Sequence, residues 1–365
     1  MSSIKLKHSG GNGVSISAPA SNPTADRTLT LPSTDVDGVI TTKDTSDKLQ
    51  SVKGLSGGQF ANRNLIINGA MQISQYPAAS SLTSSNAVQV VDRMFCRIKN
   101  AGAFTITQST DAPAGFGRSL KWDCTTADAS PAASDFNYIS QRFEGRNLQI
   151  LNKGTSAAEK TTLSFHVKSN KTGTLAVLLT DNDNSRQIGA TYTISSANTW
   201  EKKTITFDGD TSGVLDNDNA HSLNIIWWLV VGTDRTSGSA ATAWQSSVNA
   251  SAAVGQTVNL ADSTSNEFYI TGIQFEVGEE ATEFEHKSMS QDQSNCDRYY
   301  MDVQQLAMNN TDFQGFTFRT PMRASPSMSA HSTVRTITFS GVASTGFHAQ
   351  TTHTTGWAYR ANAEL

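Results

Sequence analysis

Apolar side chains in this chain recur at every second position over short stretches, and that period decides its fold class. Leu163, Phe165 and Val167 alternate with Ser164, His166 and Lys168. A repeat of two sends one set to each face of a β-strand. Strands are expected over Asn64–Ile73, Val88–Ile98, Phe104–Gln108, Asn137–Phe143, Thr162–Lys168, Leu175–Thr180, Lys203–Phe207, Leu223–Val231 and Phe268–Val277. No helical period separates them, which excludes a parallel sheet built from strand–helix–strand units. The Leu223–Val231 run is apolar on both faces, as a central covered strand would be. In the last strand Phe268 and Ile270 set one parity, while Ile273, Phe275 and Val277 set the other. Gly272 at the switch predicts a bulge. The expected fold is mainly β: an extended N-terminal stalk, a central β-sandwich of the jelly-roll kind and a small C-terminal β domain.

The domain boundaries follow from changes in pattern. Residues 1–61 contain short alternating pieces (Ile4–Lys7, Val14–Ser17, Thr28–Leu31) separated by glycine and Asn-Pro turns, with no aromatic before Phe60. Such a segment cannot bury enough surface to fold alone. Either it lacks fixed structure or identical copies share a core. Residues 62–287 are the sandwich. Residues 288–365 begin with Ser288-Met289-Ser290-Gln291, a capping-box pattern for a short helix, and continue with strands at 298–306, 315–319, 334–339 and 357–359.

Composition narrows the function classes. The formal charge of −4, with no Lys/Arg cluster, withholds the electrostatic footprint of a nucleic-acid binder. The longest apolar run, Ile225–Val231, is far short of the roughly 20 residues a membrane helix needs. Three widely spaced cysteines (Cys96, Cys124, Cys296) do not form a disulfide framework, and no apolar stretch follows Lys5 as it would in a signal peptide. Folding in a reducing cytosol is expected. No zinc-protease, nucleophile-elbow or phosphate-loop motif occurs.

Three groups of residues resemble those of bacteriophage tail and fibre proteins. Ile16-Ser17-Ala18-Pro19 through Thr28-Leu29-Thr30-Leu31-Pro32 is similar to the N-terminal stalk segment of such proteins. Asn64-Leu65-Ile66-Ile67-Asn68-Gly69, followed by Asp92-Arg93, resembles the opening of their jelly-roll domains, with Met94 where an aromatic is usual. Ile270–Gly278 and Ala281–Glu285 resemble the end of that domain, and Cys296-Asp297-Arg298-Tyr299-Tyr300 follows as in that family. Pro321–Pro326 and Ala363-Glu364-Leu365 are fainter echoes of the same kind. The resemblance implies a virion protein of the tail, assembled in the host cytoplasm. It would be commonly homotrimeric, contacting other tail proteins through its N-terminal segment, and its jelly roll would be of the carbohydrate-binding type. Host surface polysaccharide is the implied partner. A purely structural adaptor or decoration role is the alternative. A depolymerase tailspike would need stacked repeats at a fixed period, which the sequence lacks.

Sugars stack on flat aromatic rings while amides and carboxylates bond their hydroxyls. Trp227 and Trp228 are adjacent in a strand and point to opposite faces, so one packs in the core and Trp228 becomes a glycan-binding candidate. Trp244 lies in a Ser/Ala/Thr-rich loop and is a second. Trp357 and Tyr359 share a strand face and suit subunit packing. Asp181-Asn182-Asp183-Asn184 begins like a calcium loop, making Asp181 and Asp183 weak metal candidates. No glycine stands at the sixth position, however, and Tyr192 replaces the closing glutamate. A turn built on Asp and Asn side chains competes with that reading there and at Asp216-Asn217-Asp218-Asn219. The jelly-roll resemblance implies that a structural calcium is possible, with Glu276 the residue to watch. Otherwise no cofactor and no catalytic residue is expected.

Overall fold

The computed structural model describes residues 3–7, 13–17, 62–84, 88–306, 314–330, 337–351 and 357–365. Cα packing divides the chain into two units, Met1–Lys53 and Gly54–Leu365. In the first, β1 (Ser3–Lys7) and β2 (Gly13–Ser17) form an antiparallel hairpin whose register pairs Ile4 with Ile16 and Leu6 with Val14. The expected strand at 28–31 lies outside the described residues.

The second unit opens with an irregular segment, where the sequence pattern predicts a strand over Asn64–Ile73. The difference comes from its asparagines. Asn64 Oδ1 accepts the amides of Ile66 (2.9 Å) and Phe275 (3.1 Å), and Asn68 Oδ1 accepts that of Ile73 (3.0 Å). Asn68 and Met71 take positive φ, 60° and 58°. Side chains that bond nearby backbone compete with a sheet ladder. Gly69 is required here, because a Cβ would collide with the Ile273 carbonyl oxygen.

Two short edge strands follow, β3 (Ala79–Ser84) and β4 (Val88–Gln89), and then the long β5 (Phe95–Ser109). The expected Val88–Ile98 strand is thus interrupted, with Arg93 at φ 70° turning the chain. Next come β6 (Ser119–Thr126), β7 (Phe136–Glu144), β8 (Thr161–Ser169), β9 (Gly173–Asp181) and β10 (Arg186–Ile194). The unit's main sheet is completed by β11 (Glu201–Phe207), β12 (His221–Val231), β13 (Gln245–Ser246) and β14 (Glu267–Val277).

Neighbours are antiparallel throughout, in the order β11-β8-β14-β6-β5-β7-β12-β9-β10-β13. This path folds into two layers because β5 serves both. Its Phe95–Lys99 half pairs with β7, and its Ala103–Ser109 half pairs with β6. Between them Asn100 and Gly102, at φ 57° and 71°, bend the strand. The β14 layer (β11, β8, β14, β6) and the β12 layer (β7, β12, β9, β10) enclose one core. Leu163, Phe165, Val167, Trp122, Phe268 and Ile270 from one meet Ile139, Val177, Leu179, Ile225, Trp227 and Leu229 from the other. Phe165 and Trp227 touch across it edge to face, centroids 5.9 Å apart. The chain is therefore mainly β with a central β-sandwich. Gly272 does mark a bulge: the β14–β8 register shifts between Thr271 and Gln274, and Gly272 has φ 61°.

Ser288 caps α1 (Met289–Asp297), accepting the Gln291 amide at 3.3 Å. The remaining strands are β15 (Tyr300–Leu306), β16 (Gln314–Thr317), β17 (Ser327–Ala330), β18 (Ile337–Ala343), β19 (Gly346–Thr351) and β20 (Trp357–Asn362). They form two three-stranded sheets, β15-β20-β17 and β16-β19-β18, over a small core containing Met301, Phe318, Phe347 and Tyr359.

Of the residues that resemble phage proteins, Asp92-Arg93, Arg298-Tyr299-Tyr300 and Glu364 meet where these sheets join the sandwich. The fully buried Arg93 guanidinium stacks on the Tyr299 ring, 3.5 Å from its centroid. It pairs with Glu364 and donates to the Arg142 carbonyl (2.7 Å). Tyr299 donates to Glu144 (2.5 Å), and Arg298 grips the same carboxylate with two bonds, 3.0 and 2.7 Å. Asp92 fixes Gln75, whose amide reaches the Tyr300 carbonyl (3.0 Å). The Tyr300 ring lies on Tyr76, centroids 3.8 Å apart. This part of the sequence pattern is used to clamp two parts of one unit together.

Candidate functional site

Trp227 and Trp228 do face opposite ways, but neither offers a ring to a ligand. Trp228 is only 4% exposed. Phe136 and Tyr138 pack against it edge-on at 5.9 and 5.3 Å, and Ala252 and Ala253 cover them. Arg235 lies over Phe136 at 3.9 Å. The segment between β12 and β14 folds back over this outer face of the β12 layer, held by bonds such as Ala253 N to Arg235 O (2.9 Å). It leaves a cleft of about 270 Å³ lined mainly by alanine and glycine. Trp228 is thus corrected from a platform to a packing residue.

Trp244 is half-buried against the main core. Its indole N–H donates to the Asp208 carbonyl (2.7 Å), and Lys153 Nζ lies 4.8 Å from the ring centroid. That same lysine accounts for Asp181. Its buried ammonium sits between Asp181, Asp210 (2.9 Å) and the Gly213 carbonyl (3.0 Å). Arg186 holds Asp210 with two further bonds, 2.7 and 3.0 Å. Burial pushes the Asp210 carboxyl up, but the hydrogen bonds from Arg186 and Lys153 outweigh it and bring it to about 2. The protein's own cations occupy the position a metal would take, so Asp181 does not fit a calcium loop. Its other bonds form a turn: Oδ1 accepts the Asn184 amide at 3.0 Å. Asp183 accepts the Asp216 amide (3.1 Å) and ties the two Asp/Asn runs together.

Glu276 is buried elsewhere, on β14. Both its oxygens accept from Thr282 (2.9 and 2.7 Å), one also from Gln274 (2.8 Å), and Arg63 lies 3.8 Å away. This set too does not fit a cation site. Among the described residues no three His, Cys, Asp or Glu side chains cluster with metal-binding geometry. Tyr359 packs in the C-terminal core, His348 is exposed, and His353 and the Trp357 side chain lie outside the described residues. All three cysteines are buried, and burial raises the Cys96 thiol.

The outer face of the β14 layer carries a row of paired polar groups. The register places Lys121 of β6 opposite Tyr269 of β14, and Tyr269 opposite Lys168 of β8. Trp200, one residue before β11, completes the row. Lys168 Nζ lies 4.5 Å from the Tyr269 centroid and 5.6 Å from that of Trp200, and Lys121 lies 5.5 Å from Tyr269. Two carboxylates flank the row. Asp111 accepts the Trp200 indole N–H (3.0 Å) and pairs with Lys168. Glu267 accepts from Lys121 (2.6 Å) and from the Tyr269 hydroxyl (2.8 Å). The Lys168 hydrogen bond draws Asp111 below the usual carboxylate range. Burial, then the bond to Glu267, pushes the Tyr269 phenol up to about 12. Asp111 and Glu267 are 44% and 38% exposed, and Lys168 and Lys121 are 15% and 22% exposed. The Tyr269 ring is 7% exposed beneath its cations and Trp200 is half-buried, so the flanking carboxylates are the most accessible groups of the row.

Beside this row Phe116 closes over Gly272, with rings from His166, Phe284 and His286 within 5.3 Å. Sequence reasoning overlooks the row because its members come from four distant segments. The one available signal was parity: Lys121, Lys168 and Tyr269 are each out of phase with the core residues beside them.

No protein-family profile matches the chain, and no curated protein matches it. Among solved structures, 59% of the chain is similar to a putative sugar binding protein from Bacteroides thetaiotaomicron, at 12% identity, a TM-score of 0.33 and all of that chain covered. The enzymatically active domain of tailspike protein 4 from bacteriophage CBA120 matches over 59% of this chain but only 21% of its own, at 14% identity and a TM-score of 0.30. The family 11 carbohydrate-binding module of a Clostridium thermocellum cellulosomal cellulase matches over 58% of this chain and 100% of its own, at 12% identity and a TM-score of 0.29.

Proposed function

We propose that the chain is a non-enzymatic structural subunit of a phage tail, fibre-like and homotrimeric through its N-terminal segment, whose sandwich recognises glycan on the host surface. It would be built into the virion in the host cytoplasm. The Trp200–Lys168–Tyr269–Lys121 row carries the glycan reading. An indole supplies a flat apolar surface, Asp111 and Glu267 accept hydroxyl protons, and the lysines donate to ring and glycosidic oxygens. Each carboxylate is already bonded to a lysine, which suits a fixed acceptor better than a proton-transfer group. The tail assignment is supported by the order of the phage-like residues and by the clamp that joins Arg93 to Tyr299 and Glu364.

A second reading, a structural adaptor, is favoured by that same clamp and by the covered Trp228 face. Binding of the purified, oligomer-checked protein to intact host-type cells and their extracted polysaccharide, with soluble sugars as competitors, separates the two. Glycan recognition requires saturable, sugar-competed binding that Trp200→Ala weakens about tenfold or more. A well-folded trimer that binds neither cells nor polysaccharide supports the adaptor reading.

A further inference from the structure

The two Asp/Asn runs at 181–184 and 216–219 have no part in the row on the β14 layer, yet they are tied to each other and to a groove. We infer that this groove is a second carbohydrate site, one that takes a neutral sugar. Its volume is about 430 Å³, within the range of small-molecule sites. Its floor is apolar: Leu148 and Leu215 are buried, and Val214 is 59% exposed. Few large apolar side chains among the described residues are so open.

Val214 is held in that position. It packs on Gly154, where φ is 80° and a Cβ would stand 2.5 Å from Val214 Cγ2. Its carbonyl accepts the Asn184 side-chain amide (2.7 Å), and the Asp183–Asp216 bond secures the same wall. The calcium-like sequence thus buttresses an exposed apolar side chain.

The rim carries the exposed side chains of Gln149, Asn152, Thr155 and Asn217. Each amide offers both a donor and an acceptor, and a hydroxyl needs both. Two of these residues, Asn152 and Asn217, sit in the left-handed region at φ 46° and 55°, which turns the chain at the rim. The one ionisable lining residue, Lys153, has its ammonium turned to Asp181, Asp210 and the Gly213 carbonyl. An apolar floor under a ring of neutral hydrogen-bonding groups matches the apolar face and hydroxyl edge of an uncharged pyranose. An anionic sugar would find no free cation there.

The site is argued from the groove itself and rests on the glycan-binding reading only for the choice of probe. The test is ligand-observed saturation-transfer NMR on the full chain with maltotriose, cellotriose and chitotriose. At least one trisaccharide is expected to show transfer that persists in Trp200→Ala. That transfer should weaken about tenfold in Val214→Asp, which places a charge on the floor at an exposed position, and measurably in the milder Gln149→Ala. Transfer unchanged in both groove variants, or transfer from none of the three sugars, overturns the inference. Because cells and polysaccharide test the row separately, loss of the groove site leaves that result standing.

Discussion

Trp228 shows how a residue can be read correctly in direction and wrongly in use. Strand alternation alone sends it away from Trp227. What then covers it is decided by Ala252 and Ala253, more than twenty residues later in a segment with no strand pattern. Trp228→Ala should therefore lower stability by about 3–5 kcal/mol, as large-to-small changes in packed sites do, while glycan binding per folded molecule stays unchanged. Thermal unfolding together with cell adsorption checks both halves. Trp200, on which the proposed glycan site turns, stands alone in a polar stretch and becomes meaningful only beside Lys168 and Tyr269.

His221 gives a second test at this scale. Burial, reinforced by the nearby Arg142 and Arg93, lowers its imidazole to about 4. Its Nε2 is buried without a hydrogen-bond partner. The unfolded chain takes up a proton below the ordinary value of about 6.5 and the native protein does not. Stability should thus fall as pH drops from 6.5 towards 4 and be unaffected by this group above that window. Denaturant midpoints across that range should flatten in His221→Gln, and an unchanged slope would assign the loss to other groups.

At the scale of elements, the legible strands are those with large alternating side chains, such as β8, β12 and β14. The missed strand β10 keeps Ile188, Tyr192 and Ile194 in phase but interrupts them with Gly189 and Ala190, which hide the period. Strand β6, also absent from the expected strands, carries Leu120, Trp122 and Cys124 in phase and could have been found by the same rule. Asn64–Ile73 fails as a strand because asparagine side chains bond locally, and hydropathy does not register that. The bulge at Gly272 and the cap at Ser288 were legible because each has a specific local chemistry. The clamp between sandwich and C-terminal sheets was not legible, since its groups lie up to 271 residues apart. Arg93→Leu leaves the Glu364 carboxylate without its cation, beside only the Tyr76 hydroxyl (3.3 Å), a loss of about 3–5 kcal/mol. Limited proteolysis should then cut the connection near residues 278–289 faster than in the wild-type protein. Equal protection in the variant would mean that the stacked Tyr76–Tyr300 pair holds the junction without it.

For the whole molecule, the decisive quantity is the number of chains. The β1–β2 hairpin has five residues in each strand, and a two-stranded ribbon of that size is marginal at best in water. Light scattering of the full chain in dilute solution should give three times the 39.1 kDa chain mass. A folded monomer would remove the basis for a shared N-terminal core. The sandwich and the mainly β character were readable at this scale because period-two patterning sums over many strands. Which outer face stays open was not, because loops, and not strands, decide it.

The strand shared by both layers has a consequence in time. Strand β5 is made early, yet the β6 partner of its second half lies against β14, which in turn holds β8. A chain emerging from the ribosome has to carry both half-layers unclosed until residue 277 has been synthesised and cleared the exit tunnel. Synthesis at roughly 5–20 residues per second makes that a wait of many seconds, during which the apolar β12 sequence has no lid. Pauses or chaperone contacts after β12 would then govern yield more than the final stability does.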